Sequence, residues 1–302
     1  MRVCVISLST SSHCVLQYFL WFTREWKIFQ ETSTALADWK TEHLEMIKAD
    51  IKIQLNLNQL EKATIKKDIN SKILKQFKEK FNTILNNFKN LIIIAALGGR
   101  TGTACLNILS KIIKESQAEN HIVIAFLPLK KEERKRKIAL TQLKNTKNLN
   151  NIFIIDLEQV QKLFKLNILD TFSTSDLLAT FSIINIIYLL KHHKEKVFNS
   201  NSAFFKKSGI GTFSIFDGEV KSPVTKEDYK KLVNWFSNKL LYNLSKQKIR
   251  CKLWLLPTEH SDSKNREKRN ISDLTYVGSS DQIVLYDLKN KAISPTIFIK
   301  NT

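Results

Sequence analysis

Gly98-Gly99-Arg100-Thr101-Gly102-Thr103-Ala104 is the stretch whose residue types could do chemistry. Glycines let successive backbone N–H groups turn toward an anion, threonine hydroxyls add donors, and a helix starting at its end would add partial positive charge. That chemistry would be the holding of a phosphate group. A plain strand-to-helix turn uses the same residues, and the residues alone leave both readings open. The run is not a P-loop, because no Gly-Lys-Ser/Thr follows, and it lacks the spacing of the dinucleotide fingerprint. Cys4, Cys14, Cys105 and Cys251 form no C-x-x-C pair, which argues against a zinc site and a secreted disulfide framework and for a reducing cytoplasm.

The elements that must position this loop show in the hydrophobic pattern. Leu91-Ile92-Ile93-Ile94-Ala95-Ala96 is a short, non-alternating apolar run, which predicts a strand buried on both faces of a parallel sheet and leading into the glycines. An amphipathic helix is expected from Ala104 to Lys114. Within residues 66–90, Ile69, Ile73, Leu74, Phe77, Phe81, Ile84, Leu85 and Phe88 recur at spacings of three and four, one face of a helix packed on a sheet. Arg2 to Leu8 reads as a first strand, followed by a polar Ser/Thr loop and an apolar helical stretch through Phe22. A strand at His121 to Leu127, a basic helix at Glu132 to Leu143 and a strand at Ile152 to Ile155 continue the alternation. Such alternation predicts a doubly wound α/β domain, over 1–167.

Ile168 to His192 is long and apolar on most faces, as expected of a connecting helix (168–195) buried between two domains. A smaller α/β C-terminal domain, 196–302, would hold strands at Gly211 to Ile215, Cys251 to Leu256, Gln282 to Tyr286 and Thr296 to Ile299. It would also hold a helix from about Lys226 to Leu241, and an exposed loop at His260 to Asn270. A length of 302 residues accommodates two domains, and 43% hydrophobic with 25% charged residues is a globular composition. The net charge of +20 raises the expectation of an anionic partner, although the joint abundance of Lys, Asn and Ile could arise from coding composition alone. Ser9 to His13 interrupts the apolar start, so Met1 to Phe22 reads as buried structure rather than a signal peptide. The longest clean apolar stretch, Leu91 to Leu97, is far short of the roughly 20 residues of a membrane span, so no transmembrane helix is predicted.

The glycine run resembles the tubulin-superfamily signature Gly-Gly-Gly-Thr-Gly-Ser/Thr-Gly, and its flanks resemble the bacterial division GTPase FtsZ in particular. Phe126-Leu127-Pro128-Leu129-Lys130-Lys131-Glu132-Glu133-Arg134-Lys135-Arg136 is similar to that family's Lys-Pro-Phe-x-Phe-Glu-Gly-x-x-Arg segment. The likeness implies that Glu132 approaches the ribose and Arg136 the base or sugar; the alternative is a solvated charged helix. Leu169-Asp170-Thr171-Phe172-Ser173-Thr174-Ser175-Asp176 is similar to the Ala-Phe-x-x-x-Asp motif that opens the family's central helix. Phe172 and Asp176, four apart on one helical face, would then stack on a purine and accept the two N–H donors of guanine. Asp156 stands where the family has a base-contacting Asn. Lys52-Ile53-Gln54-Leu55 resembles the strand before the third phosphate loop. The resemblance spans roughly residues 28 to 216. It implies nucleotide binding by Gly98, Gly99, Arg100, Thr101, Gly102, Thr103, Glu132, Arg136, Phe172 and Asp176.

Departures from the family are as informative. The first phosphate loop, Ser7 to His13, contains no glycine, and the chain has only seven. The second, Asn-Thr-Asp in the family, is expected at Gln30-Glu31-Thr32, which would lose a magnesium-organising carboxylate. Lys62 to Lys67 stands in place of the third, while Arg100 and Ala104 replace glycines of the signature itself. The loop that completes hydrolysis, Asn-x-Asp-x-x-Asp, is best matched by Phe198 to Lys206, with Asn201 and Phe204 on the two aspartates. Neither supplies the charge that positions water for phosphoryl transfer, so hydrolysis is expected to be greatly slowed or absent.

Three readings stay open. One is a cytoplasmic, divergent FtsZ-like protein that binds GTP or GDP, with magnesium left open. It would stack head to tail with itself into filaments of division or segregation, beside other division-machinery proteins. Another is a degenerate relative that kept the fold, lost the nucleotide and modulates partners or filaments. The third is a basic protein that associates with nucleic acid or an anionic membrane through its lysines, Lys130 to Lys137 among them.

Overall fold

The structure is a computed structural model. It describes residues 2–24, 29–56, 71–113, 118–145, 151–192 and 209–215, the backbone of 251–256, 281–286 and 296–301, and isolated positions between them. The elements run β1 (Val3–Leu8), α1 (Thr10–Thr23), β2 (Thr32–Asp38), α2 (Thr41–Glu45), β3 (Ile51–Gln54), α3 (Ser71–Asn87), β4 (Asn90–Ala96), α4 (Arg100–Ile112), β5 (Asn120–Leu127), α5 (Glu133–Asn145), β6 (Asn151–Asp156), α6 (Leu157–Phe164) and α7 (Ile168–His192). Strands β7 (Gly209–Ile215), β8 (Cys251–Leu256), β9 (Asp281–Tyr286) and β10 (Thr296–Asn301) follow.

One sheet, ordered β3-β2-β1-β4-β5-β6-β7-β10-β8-β9, contains all ten strands. From β3 to β7 every pairing is parallel. β10 runs antiparallel to both β7 and β8, and β8 is parallel to β9. The α/β class with a mostly parallel, doubly wound first part is therefore as expected. Hydrogen bonding between Asn151 to Phe153 and Gly209 to Gly211 carries the sheet without a break from the first part into the C-terminal strands.

The strand sequences lack polar alternation because both faces are covered. Leu91, Ile93 and Ala95 of β4 face a core shared with Phe77, Phe81, Ile84 and Leu85 of α3 and with Ala104, Cys105 and Ile108 of α4. Ile92 and Ile94 face the other core, with Val15, Leu16 and Phe19 of α1 and Ile183, Ile187 and Leu190 of α7. The three-and-four spacing of α3 places Phe77 over Phe81 as a stacked pair, ring centroids 6.2 Å apart. Burying each such ring stabilises the fold by roughly 1.5–3 kcal/mol.

Among the described residues, α7 is the one helix long and apolar enough to cross a membrane, by length and composition only. In the fold, 67% of its apolar window is buried, much of it against α1, α6 and β7. Its apolar character on most faces follows from filling the core on one side of the sheet. The short helix α6, not anticipated from sequence, starts at Asp156, whose carboxylate accepts the Glu158 N–H (3.1 Å), and ends at Lys165 in the left-handed conformation (φ 54°).

Candidate functional site

Strand order places the site. β1 leads on to β2 and β3 on one side, while β4, β5 and β6 extend on the other, so the chain reverses direction between β1 and β4. Ligands of open α/β sheets bind outside the carboxyl ends of the strands at such a reversal. Leu8 of β1 is in register with Ala95 of β4, so the loops beginning at Ser9 and Leu97 emerge side by side. There they open a cavity of about 330 Å³, within the range of small-molecule sites. Ser9, Thr10 and Ser11 line it from the β1 side, Gly99, Arg100, Thr101 and Gly102 from the β4 side, and Pro128, Glu132 and Lys135 from the β5 side; Trp39, Leu157 and Phe172 close its rim.

Two helix N-termini converge on this cavity. α1 begins after Ser9 and α4 after Gly99; neither has a side-chain cap hydrogen bond or an acidic residue in its first turn. Their leading N–H groups and positive dipole ends suit an anion. The glycine loop is shaped by packing. Gly98 has φ +83°, and a Cβ there would lie 2.3 Å from the Lys135 carbonyl oxygen. A Cβ on Gly102 would lie 2.2 Å from the Ala96 carbonyl oxygen, whereas one on Gly99 would meet nothing within 4 Å. The Gly98 N–H donates to Thr103 Oγ1 (3.0 Å), so Gly98 and the buried Thr103 brace the loop from beneath and do not line the cavity.

The β1 loop solves the same turn without glycine. Ser9 adopts φ 121° and ψ 153°, a region almost confined to glycine, at a cost of about 1–3 kcal/mol. Its carbonyl accepts the Ser12 hydroxyl (2.9 Å), which also meets Ser7 Oγ (2.8 Å), and these buried bonds hold the strained residue.

The second loop lies elsewhere than the sequence predicts. Thr32 pairs with Val3 at the far edge of the sheet, so Gln30, Glu31 and Thr32 are at the end opposite the cavity. The loop on the cavity side follows Asp38, the carboxylate that ends β2. That carboxylate is fully buried. Oδ1 accepts the N–H groups of Trp39 (2.6 Å) and Lys40 (3.1 Å); Oδ2 accepts Thr10 Oγ1 (2.9 Å) and lies 3.2 Å from His43 Nδ1. His13 Nε2, 3.6 Å from the same oxygen, is too far to hydrogen-bond and has no partner. Burial outweighs the attraction of Asp38 and lowers His13 to about 4, so its ring is neutral at neutral pH.

The region of Arg136 and Asp156 is closed on itself. Arg136 makes a two-pronged ion pair with Asp156, Nη1 to Oδ1 at 2.8 Å and Nη2 to Oδ2 at 2.7 Å, and also donates to the Pro128 carbonyl. Neither Arg136 nor Asp156 lines the cavity, because each satisfies the other. Glu132 lies at the rim with its carboxylate on Lys135 Nζ (2.6 Å). Phe172 is 41% exposed and does line the cavity; Asp176, one turn on, does not, and burial raises its carboxyl to about 7.

The structure thus gathers Gly99, Arg100, Thr101, Gly102, Glu132 and Phe172 around one cavity, with Gly98 and Thr103 beneath it and Arg136 and Asp176 beyond its walls. Ser9 and Thr10 fall within the first phosphate loop expected at Ser7 to His13, whereas Trp39 and Lys135 were not assigned to the site from sequence; the assignment of β2 and of the α5 start reveals them. Lys62 to Lys67 and Phe198 to Lys206, with Asn201 and Phe204, lie outside the described residues.

No protein-family model matches the sequence, and no curated protein matches it. Solved structures do. An empty FtsZ dimer from M. jannaschii is 14% identical, with 100% of this chain and 88% of that chain covered and a TM-score of 0.71. CetZ2 from Haloferax volcanii, in a GTPγS-bound protofilament, is 10% identical, with 99% and 92% covered and a TM-score of 0.75. TubZ of Bacillus thuringiensis serovar israelensis, in GDP-form protofilaments, is 14% identical, with 100% and 86% covered and a TM-score of 0.65. Over its whole length, then, this chain has the tubulin/FtsZ-like superfamily fold.

Proposed function

We propose that the cavity takes a guanine nucleotide and that copies of the chain stack head to tail into a cytoplasmic filament serving cell division or segregation. The observation that carries this reading is the meeting of two uncapped helix starts with the Gly99 to Gly102 turn at the sheet's reversal point. The phosphates would lie on Ser9 to Ser11 and Gly99 to Thr101, the ribose near Glu132 and the base against Phe172. The GTPγS- and GDP-form protofilaments of the structural neighbours support both nucleotide and self-association. With Asn201 and Phe204 in place of aspartates, turnover would be slow or absent.

Calorimetric titration with GTP and with ATP, followed by sedimentation of the liganded protein, tests the reading. Saturable binding of GTP over ATP with polymer formation is the expected result; no heat from either nucleotide and no polymer would overturn it. A second reading, a nucleotide-free module that modulates filaments of another protein, is favoured by one observation, the closed Arg136–Asp156 pair on the base side. It expects no nucleotide heat but retained binding to a filament.

A further inference from the structure

We infer that the face of the sheet covered by α3, α4 and α5 binds a nucleic-acid duplex through its phosphate backbone, without reading its bases. Phe77, Ile84, Ala104, Ile108, Ala139 and Leu143 seat these three helices on one core, so their outer surfaces form one continuous face. Its charge is one-sided. α3 carries four lysines against one glutamate, α4 has Arg100 and Lys111 with no acid, and α5 has five basic residues against one glutamate. Lys75, Arg134, Lys137 and Lys144 are exposed, and none of them lines the cavity, so the inference stands apart from the nucleotide reading. Glu132 and Asp156 engage Lys135 and Arg136, but among the described residues no ion pair takes up Lys75, Arg134 or Lys137.

The other face of the sheet has no such surplus. α1 contains no Lys, Arg, Asp or Glu, α2 adds Glu42 and Glu45, α6 pairs Lys162 with Glu158, and α7 sets Asp170 and Asp176 against Lys191. Lysine supplied by coding composition alone would spread over both faces, yet the exposed positions of α1 are Thr10, Ser11, Cys14, Gln17 and Trp21. Helix stability does not place the cations either. Lys72 and Arg134 each stand second in their helices, at the end where positive charge opposes the dipole.

The form of this face selects the partner. Packed helices lie about 8–10 Å apart, so three of them spread their cations over a strip roughly 20 Å wide. A duplex offers one phosphate charge per roughly 1.7 Å of its axis, and the counterions released on such a strip drive binding. A single strand would need rings to stack on, but Phe77 and Phe81 are fully buried and α4 and α5 contain no aromatic residue. A membrane surface would need an apolar edge to insert. Leu140 is the one exposed large apolar side chain on these three helices, whereas Trp21, Leu169 and Phe172 stand on α1 and α7.

The test is fluorescence anisotropy of the full chain with labelled DNA duplexes of about 30 base pairs, in two unrelated sequences, across a salt series. Equal affinity for both sequences, falling linearly on a log–log plot as salt rises, is expected. Lys75→Ala, Arg134→Ala and Lys137→Ala should each reduce the salt slope by about one, and the triple variant should weaken binding by roughly tenfold or more. Lys162→Ala, on α6, should change neither. Thermal melts report whether the fold is kept, and the single variants carry the test should the triple fail to fold. No duplex binding, tighter binding of the single strand, an equal loss from Lys162→Ala, or binding confined to phosphatidylserine vesicles would overturn the inference. Each of these outcomes leaves the reading of the cavity standing.

Discussion

The two halves of the cleft are built on opposite principles. On the side of the two helix starts, backbone donors are left without caps and hydroxyls line the wall. On the side of β6, Arg136 and Asp156 consume each other and Asp156 caps α6. A polar group that lacks an internal partner in a folded protein must meet solvent or a ligand, whereas one in a closed pair needs neither. The contrast teaches how a chain poor in glycine can still present anion-suited donors at the reversal point of its sheet. The donors belong to helix ends that the core holds in place, not to particular side chains.

Loop substitutions break this comparison most sharply. Gly98→Ala and Gly102→Ala should each destabilise the protein by about 2–4 kcal/mol in chemical denaturation, since the new methyl would meet backbone at 2.3 and 2.2 Å. Gly99→Ala, with open space around it, should change stability by less than about 0.5 kcal/mol. Equal losses at all three would mean that the loop is not held by packing.

On the closed side, Asp156→Ala removes both the partner of Arg136 and the α6 cap. A loss of about 2–3 kcal/mol is expected, below that of a fully buried pair because 16% of the Arg136 side chain remains exposed. Arg136→Met would remove the guanidinium while Asp156 keeps its cap role, and should cost less by the same assay.

Smaller in energy is the effect at Asp176. As a carboxylate it would accept guanine N–H groups, and burial holds it near 7. Because the raised value keeps it protonated below pH 7, the preference for GTP over ATP should grow from pH 6 to pH 8, by up to roughly tenfold. Asp176→Ala should abolish both the preference and its pH dependence; an unchanged preference would remove the residue from the site. The least effect is expected at the strained turn. Ser9→Gly should raise the stability by about 1 kcal/mol, because the positive φ is relieved, and a thermal melt detects it.

Much of this is legible in the linear chain. The buried strand β4 is readable because a strand covered on both faces has no reason to alternate, as Leu91 to Ala95 show by dividing between two cores. The full extent of α7, Ile168 to His192, follows from its apolar sequence. β2 was not legible: Thr32 to Asp38 is Thr-Ser-Thr-Ala-Leu-Ala-Asp, small and half-polar, and only pairing with β1 makes it a strand. That omission displaced the second loop to the wrong end of the sheet and hid Asp38.

By itself the sequence determined the alternation of strands and helices, the buried strand before Gly98 and the loss of glycine from the first loop, because these depend on local pattern and on which residues tolerate which backbone. Tertiary structure alone decided which charges face the cavity. Arg136, Asp156, Asp38, Lys135 and Arg100 are all ionisable residues of equal promise in a linear chain. Strand register and helix packing enclose the first three in hydrogen-bond and ion-pair networks off the cavity wall and set the last two on that wall, because a buried charge must be enclosed by its partners.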